Sequence, residues 1–302
     1  MVVIKMKFLL LSDIHGTSNI PRARRDNVLL AVERKLEYVF KYAASIDADI
    51  IQAGDLSNSP RDIQFLFKFI SIRMKYQSVE FYTIWGQHDQ YNRNKNVPTN
   101  LGILSKSNLV KIISSNSISF DAVDLYGASW NKKIPEIQNE KKVNILCIHA
   151  PITKKQLWPN QVFTQANSVF EKKEYRKYDL IICGDIHRHF VVKQGKQIIC
   201  NTGPMLRLEA TNYCMKHKPK FYVYDTFKKT FETKIIPHAD PAQVMNNKHL
   251  EVIENNDSLG NIYLNSKQLE EVNIMKIIEN LIVKSGKENR LKQILQEIGS
   301  EI

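Results

Sequence analysis

The strongest structural signal in this chain is "KFLLLSDIHG", residues 7–16. A short apolar run typical of a buried β-strand is followed directly by Asp13 and His15. In open α/β sheets, ligands bind outside the carboxyl ends of the strands. The stretch therefore predicts an α/β protein with a functional site at one edge of a sheet.

Four further strand-like segments end in the same kinds of side chain. They are "ADIIQAGD" with Asp55, "EFYTIWGQHD" with Gln87, His88 and Asp89, "VNILCIHAP" with His149, and "YDLIICGDIH" with Asp185 and His187. Each ending alone has an ordinary structural explanation, such as a turn aspartate or a core histidine. Five such endings in one chain are hard to attribute to chance, and they predict one shared site.

The residue types in this set indicate a particular chemistry. Phosphodiester hydrolysis needs charge neutralised on the phosphate and a nucleophile at neutral pH, and two divalent ions about 3.5–4 Å apart supply both. Such ions prefer carboxylate, amide and imidazole ligands, whereas thiolates favour softer or structural metal sites. The set contains Asp, His and Gln and no Cys. It therefore favours a two-metal phosphoesterase.

The order of these motifs resembles that of the calcineurin-like metallophosphoesterases. Their signature DxH, GD, GN-H-[DE], H and GHxH reads here as DIH, GD, GQHD, H and GDIH, within residues 8–190. Within that superfamily the chain looks most like the nuclease subunit of the SbcCD-type recombination exonuclease, in its phage or bacterial form. The length, the basic body, "NTGPMLRLE" (201–209) and the tail after "PHADPAQVM" (237–245) carry this closer resemblance.

The resemblance implies an α/β fold, a four-layer α/β/β/α sandwich with a short C-terminal helical appendage. It also implies seven metal ligands. Asp13, His15 and His187 would bind the first ion, and Asp55 would bridge the two ions. Gln87, His149 and Asp185 would bind the second ion. His88 would steady the phosphate or protonate the leaving oxygen. The implied cofactor is a pair of divalent ions, Mn²⁺ foremost, with Mg²⁺, Fe²⁺ and Zn²⁺ as alternatives.

Three positions depart from the family pattern. Gln87 replaces the usual Asn, Asp185 replaces the first His of GHxH, and Asn58 stands where relatives often carry a His or Asp that assists catalysis. The first two changes keep an oxygen donor, so we expect an active enzyme. The extra charge of Asp185 should alter the affinity of the second metal.

The charge of the chain is unevenly distributed. The net charge is +12, and residues 1–239 hold 36 basic and 21 acidic residues, whereas residues 240–302 hold 7 and 10. A basic body predicts a polyanionic partner such as DNA, although lysine-rich chains are often merely well solvated. The expected phosphate contacts are Arg22, Arg24 and Arg25 in the loop "PRARRDN" (21–27), together with Arg188; solvent-facing side chains are the alternative.

The sequence also predicts two regions, a nuclease domain at 1–238 and a linker with a helical segment at 239–302. Apolar positions within 274–282 and 291–298 recur at helical spacing. We expect two short amphipathic helices that dock a partner or, alternatively, cap the body. The expected docking residues are Ile274, Ile278, Leu281, Leu291 and Leu295.

The predicted function is a two-metal-dependent DNA nuclease of recombination or repair, acting with the SMC-like ATPase subunit of an SbcCD-type complex. Homodimerisation through the helices at 27–46 and 61–74 is implied by the resemblance. A stand-alone phosphatase or phosphodiesterase and a non-catalytic DNA-binding scaffold remain alternatives. The four cysteines form no CxxC pair, which predicts buried free thiols. No apolar run approaches the ~18 residues that a membrane span needs, so we expect a cytoplasmic protein.

Overall fold

The computed structural model describes residues 6–92 and 97–246. Its strands are β1 (Lys7–Leu11), β2 (Asp49–Gln52), β3 (Phe81–Thr83), β4 (Lys111–Ile112), β5 (Ile118–Ser119), β6 (Val123–Ala128), β7 (Val143–His149), β8 (Ile152–Thr153), β9 (Thr164–Gln165), β10 (Leu180–Gly184), β11 (Phe190–Gln194), β12 (Gln197–Asn201), β13 (Lys220–Asp225) and β14 (Thr230–Ile235). Its α-helices are α1 (Val28–Ser45), α2 (Ile63–Lys75), α3 (Asn100–Lys106), α4 (Asn212–Lys216) and α5 (Pro241–Val244).

Two six-stranded sheets form the body. The first has the order β14-β13-β1-β2-β3-β4, and the second has the order β11-β12-β10-β7-β6-β5. The neighbours β1, β2, β3 and β4 are parallel, as are β6, β7, β10 and β12. Antiparallel strands complete both sheets. Parallel central strands bring their carboxyl ends to the same edge of each sheet.

The strand β1 shows why the sheets pack into layers. Its side chains alternate in direction, so Phe8 and Leu10 join the apolar cluster between the two sheets. Leu9 and Leu11 face the other way and join the cluster that contains α1 and α2. All four are buried. A strand apolar on both faces is typical of a central strand covered on both sides.

The helices expected at 27–46 and 61–74 are confirmed as α1 and α2. The side chain of Asn27 caps α1 by accepting from the N–H of Leu30, and Asp62 caps α2 through the N–H of Phe65. Phe40 of α1 packs edge-on against Phe69 of α2. This pair of helices forms the outer layer over the first sheet.

The opposite face of the second sheet is covered differently. A 3-10 helix at Ala166–Glu171 places Val169 and Phe170 in a third apolar cluster with Leu146 and Ile181. The order helices, sheet, sheet, helical segment confirms the predicted α/β sandwich.

The last described residues stay attached to the body. Arg25 donates its backbone N–H to the carbonyl of Val244, and Asn246 donates to that of Ala23. The predicted division at residue 239 stays a prediction, and the docking residues named above lie outside the described residues. Within the described ranges, no helix is long and apolar enough to cross a membrane. The four cysteines are free and buried, as predicted.

Candidate metal centre

Five strand ends meet at one edge of the sandwich. Their Asp and His side chains form three overlapping groups whose ligand atoms lie within 4.8 Å of one another. The groups are Asp13, His15 and His187; His15, Asp55 and His88; and Asp13, Asp55 and His149. Residues as far apart in the chain as Asp13 and His187 are brought together because parallel strands of both sheets end here.

Three of these residues adopt an unusual backbone conformation. His15, Asp55 and Asp185 have φ angles of 47°, 55° and 91°. Positive φ is uncommon for residues other than glycine and costs on the order of 1–3 kcal/mol where the surroundings enforce it. Asp185 directly follows β10, and His15 and Asp55 lie in the loops just after β1 and β2, where this backbone conformation turns the side chains into the shared site.

The first group is tightly packed. The Nε2 atoms of His15 and His187 lie 2.8 Å apart, and Asp13 Oδ1 accepts the backbone N–H of Asp185 at 2.8 Å. Burial raises the pKa of the Asp13 carboxyl, and burial lowers the pKa of His15 to about 3. His15 is therefore held neutral, the form in which imidazole binds metal.

Asp55 and His149 form the centre of the cluster. Asp55 Oδ2 lies 3.4 Å from His149 Nε2 and 3.7 Å from His15 Nε2. Burial alone would raise the pKa of Asp55, but the nearby His149 holds it below its ordinary value. Burial likewise opposes the charge on His149, yet Asp55 raises the pKa of His149 to about 10. The carboxylate thus attracts positive charge to this point.

Hydrogen bonding fixes the orientation of the His149 ring. Its Nδ1 donates to the backbone carbonyl of Ala53 at 2.6 Å, so Nε2 faces the cluster. A backbone carbonyl on the far nitrogen is the usual way in which a metal-binding histidine is held in one tautomer.

The two unusual residues of the predicted second site contact each other. Gln87 Nε2 donates to Asp185 Oδ1 at 2.9 Å, and Gln87 Oε1 lies 2.6 Å from His149 Nε2. Asp185 Oδ1 is 4.0 Å from the same nitrogen. The amide therefore joins the other two residues of the predicted second site.

His88 lies at the exposed mouth of the cluster. Its Nδ1 donates to the backbone carbonyl of Asn58 at 3.0 Å, and its ring packs edge-on against that of His15. One ring nitrogen of His88 lies within 4.8 Å of ligand atoms of His15 and Asp55. The backbone carbonyl of Asn58, and not its side chain, orients His88. Any residue at position 58 would supply the same carbonyl.

Asp89 has a structural task that the sequence did not reveal. It is buried, and its carboxylate accepts the backbone N–H groups of Asp55, Ser57 and Gly86 at 2.9, 3.1 and 3.0 Å. Burial raises the pKa of Asp89 to about 7. The acidic last position of the GQHD motif was the available signal for this residue, which joins two ligand-bearing loops.

The residues present fit a pair of cations. Asp13 Oδ2 and Asp55 Oδ2, together with His15 Nδ1, are buried side-chain atoms that have no hydrogen-bond partner among the described residues. A buried carboxylate oxygen left unpaired costs free energy unless a cation satisfies it. The donor set is oxygen and imidazole nitrogen, which divalent ions such as Mn²⁺ and Zn²⁺ accept.

A family model described as the calcineurin-like phosphoesterase superfamily domain matches residues 6–226. This chain belongs to the calcineurin-like phosphoesterase superfamily. Members of the superfamily use a dinuclear divalent metal site, and the Asp and His cluster of this phosphoesterase supplies candidate ligands for one.

Solved structures with similar folds are distant in sequence. An archaeal phosphodiesterase is 14% identical, with a TM-score of 0.40, covering 76% of this chain and 99% of its own. A 5′-nucleotidase from Staphylococcus aureus, itself described as putative, is 14% identical with a TM-score of 0.48, and the match covers 78% of this chain and 55% of the nucleotidase. The NAD nucleotidase of Haemophilus influenzae is 13% identical with a TM-score of 0.41, covering 80% and 50%. No curated protein sequence matched the phosphoesterase.

The arginines expected to contact phosphates have different surroundings. Arg24 is buried, and its guanidinium donates to Asp26 at 2.6 and 2.8 Å and to the carbonyl of Arg207. The Arg25 guanidinium donates to the carbonyls of Ala242 and Gln243. Both guanidinium groups thus hold the loop, although Arg25 remains exposed, and their phosphate contacts stay a prediction. Arg22 is exposed, and Arg188 lies next to His187.

Proposed function

We propose that this phosphoesterase is a DNA nuclease that uses two divalent metal ions and acts with an SMC-like ATPase. The observation that carries the catalytic part is the overlap of the ligand groups. Asp55 belongs with His15 on one side and with His149 on the other, which is where a bridging carboxylate belongs. One carboxylate between two sets of ligands favours a pair of ions over a single ion.

In this proposal, Asp13, His15 and His187 would hold the first ion, Asp55 would be shared by both, and Gln87, His149 and Asp185 would hold the second. When bound, the ion pair supplies charge neutralisation and a water molecule of lowered pKa. The chain positions these ligands from five strand ends on two sheets. We propose Mn²⁺ as the best-supporting metal.

His88 is the proposed catalytic residue. The carbonyl of Asn58 holds the proton on Nδ1, so Nε2 of the neutral ring accepts a hydrogen bond. A doubly protonated His88 donates from Nε2 instead, to a phosphate oxygen or to the leaving oxygen. Its exposed position at the mouth of the cluster suits a residue that meets the substrate directly.

The basic body supports DNA as the substrate. An excess of positive charge over residues 1–239 attracts a polyanion without regard to sequence. Arg22 and Arg188 are the two proposed phosphate contacts, since within residues 6–92 and 97–246 neither guanidinium donates to a backbone carbonyl as those of Arg24 and Arg25 do. The acidic balance of residues 240–302 supports a different partner for the tail.

The test offers linear DNA and a nitrophenyl phosphate ester to the full chain loaded with Mn²⁺. We expect DNA cleavage that Asp55→Asn abolishes. The matched control is Asp121→Asn, which removes an exposed carboxylate in the turn before β6. Ester turnover with intact DNA would replace the nuclease by a small-molecule phosphoesterase. If the metal-loaded protein turns over neither substrate, both alone and with its ATPase partner, the protein is a non-catalytic binding scaffold.

The docking proposal has its own test. Truncation at about residue 240 should abolish co-purification with the ATPase partner and leave metal binding unchanged. Undiminished co-purification of the truncated chain would refute the docking role of Ile274, Ile278, Leu281, Leu291 and Leu295. Sedimentation of the full chain tests the proposed homodimer.

A further inference from the structure

A cavity of about 260 Å³ opens beside the metal cluster. Asp185 and His187 line it from the cluster side. Residues with no part in the proposed metal site line the rest, among them Trp158, Arg188, Glu209 and Tyr213. A substrate held at the metal cluster would therefore have this cavity directly next to its reacting phosphate.

Arg188 is fixed against one wall of the cavity. Its guanidinium carbon lies 3.7 Å from the centre of the Tyr213 ring, a close cation–π contact. The hydroxyl of Tyr213 is itself held, because it accepts the backbone N–H of His189 at 3.0 Å and lies within hydrogen-bond distance of His189 Nδ1, at 2.8 Å. A planar cation is thus pre-positioned one residue from His187, with donors suited to phosphate oxygens.

Trp158 offers a flat aromatic surface in the same cavity. It lies in the loop between β8 and β9, and 53% of its surface is exposed, whereas Trp85 beside the cluster is buried. An exposed indole loses the favourable burial of its apolar area unless a ligand covers it. Exposed aromatic side chains beside positive charge are the usual stacking platforms for unpaired nucleobases.

We propose that this cavity is a nucleobase subsite, in which the base next to the scissile phosphate stacks on Trp158 while its phosphate meets Arg188. Glu209 adds a carboxylate that accepts hydrogen bonds from base N–H groups. The proposal rests on the function proposed above and narrows the substrate to strands with an unpaired base, such as single-stranded or frayed DNA ends.

Size and charge agree with this occupant. The volume is just below the ~300 Å³ of the smallest drug-sized sites, which suits one nucleoside. The carboxylate of Glu209 would repel a chain of phosphates running through the cavity. A nucleotide, with a single phosphate at one end and N–H donors at the other, matches both charges.

The test compares the binding of thymidine 5′-monophosphate with that of 2-deoxyribose 5-phosphate, by calorimetric titration of the full chain in Mn²⁺. A parallel assay for free phosphate shows whether either ligand is hydrolysed during the titration. Base stacking is worth ~1–3 kcal/mol, so we expect the nucleotide to bind about 5- to 150-fold more tightly. Trp158→Ala should reduce this ratio to about one, and Trp158→Phe should retain most of it. Phe227→Ala removes an equally exposed aromatic ring outside the cavity and should change nothing.

Arg188→Gln separates the phosphate contact from the base contact. It should weaken both ligands by the same factor and leave their ratio unchanged. Equal binding of the two ligands by the wild type, or an unchanged ratio in Trp158→Ala, would overturn the subsite. A failure of the nuclease proposal has a different signature, the loss of all phosphodiester turnover with the nucleotide preference intact.

Discussion

The side-chain amide of Gln87 donates from Nε2 to Asp185 Oδ1 at 2.9 Å, and this contact joins the two proposed ligands that depart from the family pattern. The amide oxygen of Gln87 lies 2.6 Å from His149 Nε2, so the same side chain spans both neighbours. A shorter Asn would lack one methylene of this span. A His at position 185 would lack the carboxylate that accepts the bond. The two departures are therefore physically coupled.

This coupling predicts non-additive metal binding. Gln87→Asn and Asp185→His should each lower the affinity for the second ion about 10–100-fold, because each removes the contact that orients the other ligand. The double variant should lose less than the product of the two, since the broken contact is shared. Calorimetric titration with Mn²⁺ and metal content after dialysis measure this. Strictly additive losses would contradict the coupling.

His88 should affect turnover and leave metal binding alone. His88→Ala is expected to lower kcat for DNA cleavage by about 10²–10⁴ while the protein retains two ions, because the proposed role is proton transfer or phosphate contact. Asn58→Ala is the matched control. It keeps the backbone carbonyl that holds His88, so kcat should stay close to that of the wild type. A loss of bound metal in His88→Ala would argue for a ligand role instead.

Asp89 should contribute to stability through its three backbone contacts. Asp89→Asn replaces one acceptor oxygen by an NH₂ group and leaves a buried N–H unpaired, which should lower the free energy of unfolding by about 1–3 kcal/mol. Urea denaturation of the metal-free protein measures the change. The exposed Asp121→Asn should stay within about 0.5 kcal/mol. Equal stability of both variants would show that the loops are held by other contacts.

Gly86 should tolerate no side chain. A Cβ atom there would lie 2.0 Å from Asp55 Oδ1 and 2.4 Å from the backbone nitrogen of Asp55. Gly86→Ala should cost about 1–3 kcal/mol of unfolding free energy and displace the bridging carboxylate. In α3, a Cβ on Gly102 has its nearest neighbour at 3.4 Å, so Gly102→Ala should be neutral or stabilise by up to about 1 kcal/mol. Thermal and urea denaturation of both variants, with metal content, test the contrast.

His217 should make the stability depend on pH below neutrality. Burial lowers the pKa of His217 in the folded protein to about 3, against 6.5 in the unfolded chain. Between pH 6.5 and 3, the His217 ring is therefore protonated in the unfolded chain and neutral in the folded protein. The stabilising effect of the neutral ring is complete above pH 6.5 and falls by up to about 1.4 kcal/mol per pH unit as the pH drops towards 3.

The matching variant is His217→Gln, whose amide also carries an N–H for the carbonyl of Pro204. Its unfolding free energy should fall less steeply than that of the wild type between pH 6.5 and 5. Urea titrations at several pH values give both slopes, and parallel slopes would show that His217 does not titrate on unfolding.

The periodicity of apolar residues and the order of the motifs in the sequence were enough to predict the α/β sandwich and the place of the ligand cluster. The alternation of Phe8 to Leu11 and the spacing of apolar residues in α1 are local properties, and local backbone preferences convert them directly into strands and helices. The position of each ligand type just after a strand likewise predicted where the cluster would lie. These signals survive because they depend only on neighbours along the chain.

Contacts between distant segments had no such local signal. The sequence could not show that Arg24 is bound by Asp26 and the Arg207 carbonyl, that Asp89 holds two loops together, or that Gln87 spans His149 and Asp185. The cavity beside Trp158 and Arg188 also forms from loops far apart in the chain. Hydrogen bonds and cavities of this kind depend on distances that arise only after both sheets have packed, and residue types alone do not specify those distances.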